Sequence, residues 1–198
     1  MNVLLIGATG TIGSKLYEAL REEHTVFPAS RNSKEFPIDI TKPDSVLQAL
    51  QALPLLDAII NMAGHATWKP FNELTEEDFY TGIRSKLMGQ VNLIRLAKDH
   101  LEPKGSITLT TGILADFYEP GAAGLALVNG GIHSFVQAAA PELDNGLRLN
   151  VVAPGALEGT IVEGKLFAQH RPVSFESVID VYKRALFGTE TGQVFKIY

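Results

Sequence analysis

Three glycines lie where an apolar strand pattern gives way to an amphipathic helix pattern in the first part of the chain. Residues 2–6 are mostly branched and apolar, and from about residue 11 apolar side chains recur at helical spacing. A strand, a glycine turn and a helix N-terminus in this order are typical of a dinucleotide-binding βαβ unit, in which amide N–H groups and the helix dipole hold a pyrophosphate. A tight turn without a ligand is the alternative, and we favour nucleotide binding. The residues predicted at the phosphates are Gly7, Thr9, Gly10, Thr11, Ile12 and Gly13.

The composition argues against several classes of protein. The 198 residues are 45% hydrophobic and 20% charged and include no cysteine, which predicts one globular domain over 1–198 without disulfides or thiolate chemistry. A formal net charge of -5 without a basic block argues against a nucleic-acid or anionic-membrane surface. No apolar run approaches membrane-spanning length, and we expect a cytoplasmic protein. Histidines and acids nowhere have the spacing of metal ligands, so no metal site is predicted.

Strand and helix patterns alternate along the chain. The predicted strands cover residues 2–6, 25–30, a short segment ending at 37–39, 56–61, 105–111, 147–153 and 193–197. The helices that follow the first one are predicted over 41–52, 75–100, 122–143 and 175–186, with Thr41 as a cap and with Thr75 and Asp78 as a capping box. This order predicts an α/β fold, a Rossmann-like three-layer sandwich whose doubly wound parallel sheet has about seven strands.

The end of the second strand bears on which cofactor binds. An acid about twenty residues beyond the glycines binds the ribose hydroxyls of NAD, and none is present at this point. Arg31 can pair with a 2′-phosphate, and Ser30 and Asn32 add donors, so we favour NADP(H) over NAD(H). A solvated loop arginine is the alternative. Asp39 lies where an acid could meet the adenine amino group, or it caps the helix beginning near Thr41.

These motifs resemble the short-chain dehydrogenase/reductase family over nearly the whole chain, with a glycine spacing like that of its extended and atypical branches. The resemblance implies a Rossmann-like domain that binds a nicotinamide cofactor and reduces a carbonyl compound or oxidises an alcohol. It places Asn61, Ala63 and Gly64 on the adenosine side, and Pro154 and Gly155 beside the nicotinamide. It also implies a homodimer or homotetramer. The matching segments are 7–13, Asp39-Ile40-Thr41, 61–64, Gly89, 105–107, Pro120-Gly121 and 150–155.

The residues that carry the family's proton chemistry are absent at the aligned positions. The family uses a tyrosine, a lysine four residues later, a serine thirteen residues before the tyrosine and an asparagine in the preceding long helix. Here the corresponding residues are Leu125, Asn129, Gly112 and Lys86. Since leucine neither donates nor accepts a proton, the standard mechanism fails.

Three residues are candidate replacements, each with a simpler alternative. Thr111 could bind a substrate oxygen, or it is merely a good strand residue. Tyr118 could bring a phenol over the nicotinamide, or it only covers the pocket. Lys86 could act as an electrostatic or proton donor, or it is a surface lysine of the long helix. Asn129 could bind the cofactor ribose.

Other polar residues and one long segment flank these candidates. His65 and His133 are interpreted as ordinary polar residues, and Asp116 and Glu119 as solvated loop charges. The segment 156–174, with Glu158, Thr160 and Phe167, is expected to form the substrate loop.

Two hypotheses of function follow from the sequence. In the first, which we favour, the chain is an NADP-dependent oxidoreductase that acts on a small carbonyl or alcohol with a non-standard proton donor. In the second, it is a catalytically inactive NADP(H)-binding sensor or regulatory module, as the vacant proton-transfer positions suggest. A structural subunit that has lost the cofactor is a weaker third reading, against which the glycines and Arg31 argue.

Overall fold

The chain folds around one parallel sheet, which has six strands in the part of the chain that the structure describes. The computed structural model describes residues 1–159 and 170–198. The strands are β1 (Asn2–Ile6), β2 (Thr25–Ala29), β3 (Leu56–Asn61), β4 (Leu101–Thr110), β5 (Arg148–Pro154) and β6 (Val194–Ile197). The α-helices are α1 (Thr11–Leu20), α2 (Pro43–Gln51), α3 (Glu76–Gly82), α4 (Met88–Ala97), α5 (Ala123–Ala139) and α6 (Phe175–Phe187).

The strand order β2-β1-β3-β4-β5-β6 confirms the doubly wound topology. Every neighbouring pair is parallel, and Leu4 at the centre of β1 is in register with Phe27 on one side and Ile59 on the other. The chain leaves β1 in one direction to form β2 and returns past it to form β3. In open α/β sheets, ligands bind at the carboxyl ends of the strands where the order reverses, which here is the end of β1.

Helices cover both faces of the sheet because its strands are apolar on both sides. Leu4 and Ile6 pack in one layer with α2, α4 and α5, whereas Val3 and Leu5 pack in the other with α1 and α6. Burying each such side chain stabilises the fold by about 1.5–3 kcal/mol. None of the helices in the described ranges is long and apolar enough to cross a bilayer.

The predicted third strand at residues 37–39 does not form, so the sheet has six strands rather than about seven. The segment contributes a single bridge, between Ser30 and Pro37. Proline has no N–H to donate to a ladder, and the few residues after β2 leave no room for a crossover helix. Ile38 is apolar because its side chain fills the core, where it is 1% exposed.

The helix cap predicted at Thr41 is wrong. The helix α2 begins at Pro43, its N-cap is Lys42, and no side chain caps it. The backbone N–H and the hydroxyl of Thr41 instead donate to Asp39 Oδ1, at 3.0 and 2.7 Å. A short polar side chain that accepts from the backbone two residues later forms a local turn, and this turn competes with capping.

The long helix predicted over 75–100 is interrupted by a π-helical segment at Ile83–Leu87, between α3 and α4. The predicted capping box at its start is confirmed, since Thr75 Oγ1 accepts from the Asp78 N–H at 3.2 Å and the Asp78 carboxylate accepts from the Thr75 N–H at 3.0 Å. Two consecutive residues of the π segment, Ser85 and Lys86, are both buried. Such segments widen a helix locally and are frequent at functional sites.

Candidate functional site

A cleft of about 280 Å³ opens at the carboxyl ends of β1, β2 and β3, where the strand order reverses. Most of the residues predicted to bind the cofactor lie in its wall. The lining residues are Gly7, Thr9, Gly10, Ser30, Arg31, Ile38, Asp39, Ile40, Thr41, Met62, Ala63, Gly64, His65 and Ser85.

The glycine turn brings the N-terminus of α1 to this cleft. Gly7 has a positive φ of +88°, and a Cβ atom at Gly10 would stand 3.2 Å from the Gly7 carbonyl oxygen. Gly10 is the N-cap of α1, where no side chain caps the helix and no acid occupies the first turn, formed by Thr11, Ile12 and Gly13. The first N–H groups of a helix need acceptors and favour negative charge, so this end of α1 suits a phosphate.

Arg31 and Asp39 both line the cleft. A second depression, of about 540 Å³, continues past Ser30 and Arg31 to Asn32 beyond the end of β2. The hydrogen bond from the Thr41 hydroxyl lowers the pKa of Asp39, and the charges of Lys42 and Arg31 add to the shift. Arg31 is exposed and lines both depressions.

The loop after β3 is fixed by its first residue. Asn61 is fully buried, donates from Nδ2 to the Ala63 carbonyl at 3.0 Å and accepts the Ala63 N–H at 3.3 Å. Gly64 then lies on the π segment, so closely that a Cβ atom there would be 3.1 Å from Lys86 Cα. The backbone N–H of His65 donates to Ser85 Oγ at 3.2 Å, and its ring Nδ1 lies 3.0 Å from the same oxygen. His65, interpreted from the sequence as an ordinary polar residue, and Ser85, which no sequence pattern indicated, both line the cleft. Ser85 lies on the π segment, which sequence reasoning missed.

A second group of predicted residues gathers at the ends of β4 and β5. A Cβ atom at Gly112 would be 3.5 Å from the Pro154 carbonyl oxygen and 3.9 Å from Asn129 Nδ2. Asn129 is 3% exposed, and its Oδ1 has no hydrogen-bond partner. An unpaired buried amide oxygen is costly, so it is a candidate contact for a bound group or a water. Gly155 donates its N–H to the Ile197 carbonyl at 2.7 Å, which ties this loop to β6.

Lys86 is not a surface lysine of the long helix. Its side chain is buried, and Nζ donates to the Thr110 carbonyl, the last one of β4, at 3.3 Å. Gln90 Nε2 donates to the same carbonyl and to the carbonyl of Lys86 itself. Burial lowers the pKa of Lys86 to about 8. The alternative interpretation of this residue in the sequence analysis is therefore wrong.

Thr111 and His133 form a hydrogen bond between the end of β4 and α5, with 2.8 Å between Thr111 Oγ1 and His133 Nε2. Partial burial lowers the pKa of His133. The neighbouring Asp116 is more than a solvated loop charge, since it pairs with Lys196 at 2.8 Å and accepts a hydrogen bond from the Tyr198 hydroxyl. Sequence reasoning missed these contacts because the partners are far apart along the chain.

The structure separates Tyr118 from these groups. Its side chain is 86% exposed, and it is not among the residues that line the cleft. Leu125, at the position aligned with the family's tyrosine, packs against an apolar cluster of Ile113, Leu114 and Ala122. In the segment predicted as a substrate loop, Glu158 donates its N–H to the Val173 carbonyl, whereas Thr160 and Phe167 lie outside the described residues.

Comparison with known proteins identifies the family. Residues 10–179 match the sequence profile of a family described as enoyl-(acyl carrier protein) reductase. This chain belongs to the short-chain dehydrogenase/reductase family of oxidoreductases. The predicted family is confirmed.

Curated members of the short-chain dehydrogenase/reductase family align with part of the chain. Hydroxynaphthalene reductase of Aspergillus fumigatus is 30% identical over 104 residues, which are 52% of this chain and 38% of that protein. An uncharacterized oxidoreductase of Schizosaccharomyces pombe is 26% identical over 171 residues, which are 78% of this chain and 66% of the relative. The chain thus spans between 38% and 66% of the length of these two relatives.

Solved structures share the whole fold. A protein of Listeria innocua is 38% identical, with a TM-score of 0.95 and with 100% of both chains covered. A small-chain dehydrogenase in complex with NADPH is 22% identical, with a TM-score of 0.87, and the match covers 100% of this chain and 96% of that one. At 22% identity, the likeness to the dehydrogenase in complex with NADPH bears on the fold alone.

Proposed function

We propose that this chain is an NADP(H)-dependent oxidoreductase that interconverts a carbonyl compound and an alcohol. The observation that carries the proposal is that the uncapped N-terminus of α1 and the Arg31 side chain face one cleft at the reversal point of the sheet. A dehydrogenase of the same fold has been solved in complex with NADPH, and the proposal extends that cofactor to this chain.

The chain's own residues fit this cofactor in three places. The first turn of α1 would hold the pyrophosphate, with Gly10 leaving its amide N–H groups uncovered. Arg31 would pair with the 2′-phosphate as a charge-assisted fork. Asn129 approaches Gly112 with its Nδ2, and its buried Oδ1 has no partner, so this amide would accept a hydrogen bond from the ribose or the carboxamide.

The reaction requires one hydride and one proton. When bound, the reduced cofactor supplies the hydride. The protein then has to orient the carbonyl, exclude water and provide the proton, and Leu125 cannot do the last. Of the candidate donors, Lys86 and Thr111 lie at the carboxyl end of β4, whereas Tyr118 points to solvent.

The proposal extends to a homo-oligomer. We propose α4 and α5 as the helices that meet a second copy; Met88 on α4 and Leu127 on α5 are apolar and exposed, at 38% and 49%. Sedimentation velocity over a range of concentrations tests this part, and a monomer at every concentration would contradict it.

Calorimetry and a substrate panel test the main proposal. We expect NADPH to bind in the micromolar range and NADH at least tenfold more weakly, and we expect NADPH oxidation with at least one aldehyde or ketone of a broad panel. Failure of both cofactors to bind at millimolar concentration would overturn the proposal. Tight binding without turnover over the whole panel would instead favour the inactive sensor.

A further inference from the structure

We propose that Lys86 holds the proton that this reaction transfers, and that the ammonium thus stands in for the proton donor that Leu125 cannot be. The inference rests on the proposed function and deepens it by assigning the donor. It depends on where the π segment places one cation.

The ammonium group of Lys86 is buried and has few partners. Lys86 is 8% exposed, and its Nζ makes one hydrogen bond, to the Thr110 carbonyl at 3.3 Å. An ammonium has three donors, so two are uncommitted. No carboxylate of the described residues pairs with it, and burial is the only cause of its altered pKa. A buried charge without a counterion is costly, and a lysine that only packed would not need its charge here.

Lys86 places its ammonium at the carboxyl end of β4. Lys86 Nζ binds the Thr110 carbonyl, which is two residues before Gly112 in the chain. Asn129, on α5, approaches Gly112. Asn129 Oδ1 lacks a partner, so unpaired donors and an unpaired acceptor border the same strand end. A water bound between these groups would connect Nζ with a substrate oxygen near Gly112. The loop at Gly64 covers the stem of Lys86 on the cleft side.

Protonation differs between Lys86 and His133. The loop after β3 with His65, and the helices α3, α4 and α5, pack against the π segment that holds Lys86. Two acids of α3 have partners elsewhere, Glu77 with Arg84 and Asp78 with Lys69, and the titratable group of α5 is His133. Partial burial lowers the pKa of His133, so it is mostly neutral near pH 7. Lys86, with a pKa of about 8, is then the charged proton donor at this end of the sheet in the described ranges. A donor with a pKa near the working pH transfers its proton efficiently in both directions.

The chemical step balances as follows. Reduction adds a hydride from NADPH to the carbonyl carbon, and the electron pair of the C=O π bond moves to oxygen. The oxygen takes a proton from water, which takes one from Lys86 Nζ, so an alcohol and a neutral amine result. The amine regains a proton from solvent before the next turnover. Oxidation of an alcohol follows the same steps in reverse.

A titration that does not require turnover tests the proton-holding role. In protein labelled at the lysine ε-carbon with ¹³C, the resonance lost in Lys86→Met belongs to Lys86. We expect it to titrate near pH 8 in the free protein, and at a lower pH with NADP⁺ than with NADPH, because the oxidised ring carries a positive charge. Titration above pH 10, or identical midpoints with both cofactor forms, would overturn the proposal.

Kinetics test the transfer itself. The kcat for carbonyl reduction by the wild type should fall above pH 8 as the ammonium deprotonates. Lys86→Met should lower kcat by about 10²- to 10⁴-fold while the KM for NADPH changes little. Lys86→Arg keeps the positive charge but does not release a proton, so it should lose kcat as Lys86→Met does, and its residual rate should not fall above pH 8. Wild-type kcat in Lys86→Arg would overturn the proton transfer. The control is Lys98→Met, which removes an exposed lysine paired with Asp99 and should leave the profile unchanged.

The outcomes separate this proposal from the proposed function. Wild-type kcat and pH profile in a folded Lys86→Met variant would overturn the role of Lys86 and leave the oxidoreductase in place. Absence of turnover by the wild type with any carbonyl would overturn both. If Lys86→Met fails to fold, the Lys86→Arg profile and the assignment of the same resonance by Lys86→Arg decide.

Discussion

Gly13 of α1 lies so close to Gly7 that a Cβ atom added at Gly13 would stand 2.1 Å from the Gly7 carbonyl oxygen. The obstacle is backbone, so no side chain can rotate away to make room. The absence of a side chain at position 13 thus sets the distance between α1 and the turn after β1. That distance positions the first N–H groups of α1 at the cleft.

The contact predicts that Gly13→Ala displaces the helix. We expect the free energy of unfolding to fall by about 1–3 kcal/mol and NADPH affinity to fall by at least tenfold. The matched control is Gly130→Ala, within α5, where a Cβ atom meets nothing within 4 Å. Because alanine is the better helix former, that variant should gain about 0.5–1 kcal/mol and bind NADPH normally. Urea unfolding and calorimetry measure both quantities, and equal affinities for the two variants would contradict the prediction.

Arg31 is predicted to choose between the two nicotinamide cofactors. Charge-assisted hydrogen bonds contribute about 1.5–3 kcal/mol, so Arg31→Met should weaken NADPH binding by roughly 10- to 100-fold and leave NADH binding unchanged. Arg21→Met serves as the control, since it removes an exposed arginine paired with Glu18 on α1. An equal loss of affinity for NADPH and NADH would show that Arg31 supports the loop and does not bind the 2′-phosphate.

The buried charge of Lys86 is predicted to lower the free energy of unfolding. Its pKa falls from 10.5 to about 8 on folding, so the unfolded chain binds more protons between these pH values and stability rises with pH across this window. The penalty is complete below pH 8 and amounts to roughly 3 kcal/mol. Lys86→Met should therefore raise the free energy of unfolding at pH 7 and gain much less at pH 10. Urea unfolding at both pH values measures the difference, and a variant less stable than the wild type at pH 7 would refute the assignment of an unpaired buried charge.

The cofactor half of the site could be predicted from the sequence because its signals are local. The glycines at 7, 10 and 13 act on a single turn, and Arg31 follows the strand that the pattern of residues 25–30 indicates. The capping box of Thr75 and Asp78 spans one helical turn. In each case the residues that specify the geometry are neighbours along the chain, so a pattern suffices.

The remainder depends on contacts between distant residues. Nothing local distinguishes Lys86 from the surface cations of the same helix; its burial follows from the π segment and from Gly64, 22 positions earlier. Asp116 resembles a free loop charge until β6 brings Lys196 to it. Ile38 shows the converse case, since an apolar segment predicted as a strand is buried in the core and pairs through a single bridge only.

His133 is predicted to make the fold sensitive to acid. Partial burial lowers its pKa below the ordinary value of 6.5, so between the two values the unfolded chain binds more protons than the native one. This contribution to stability is present above about pH 6.5 and is lost as the pH falls, because the buried imidazole must then become charged beside Thr111. His133→Asn keeps an amide that can bond to the Thr111 hydroxyl but does not titrate. Thermal melts from pH 7.5 to pH 5 should therefore show a smaller loss of Tm for the variant than for the wild type. Parallel curves would mean that His133 titrates alike in both states, and that its hydrogen bond to β4 does not depend on the neutral ring.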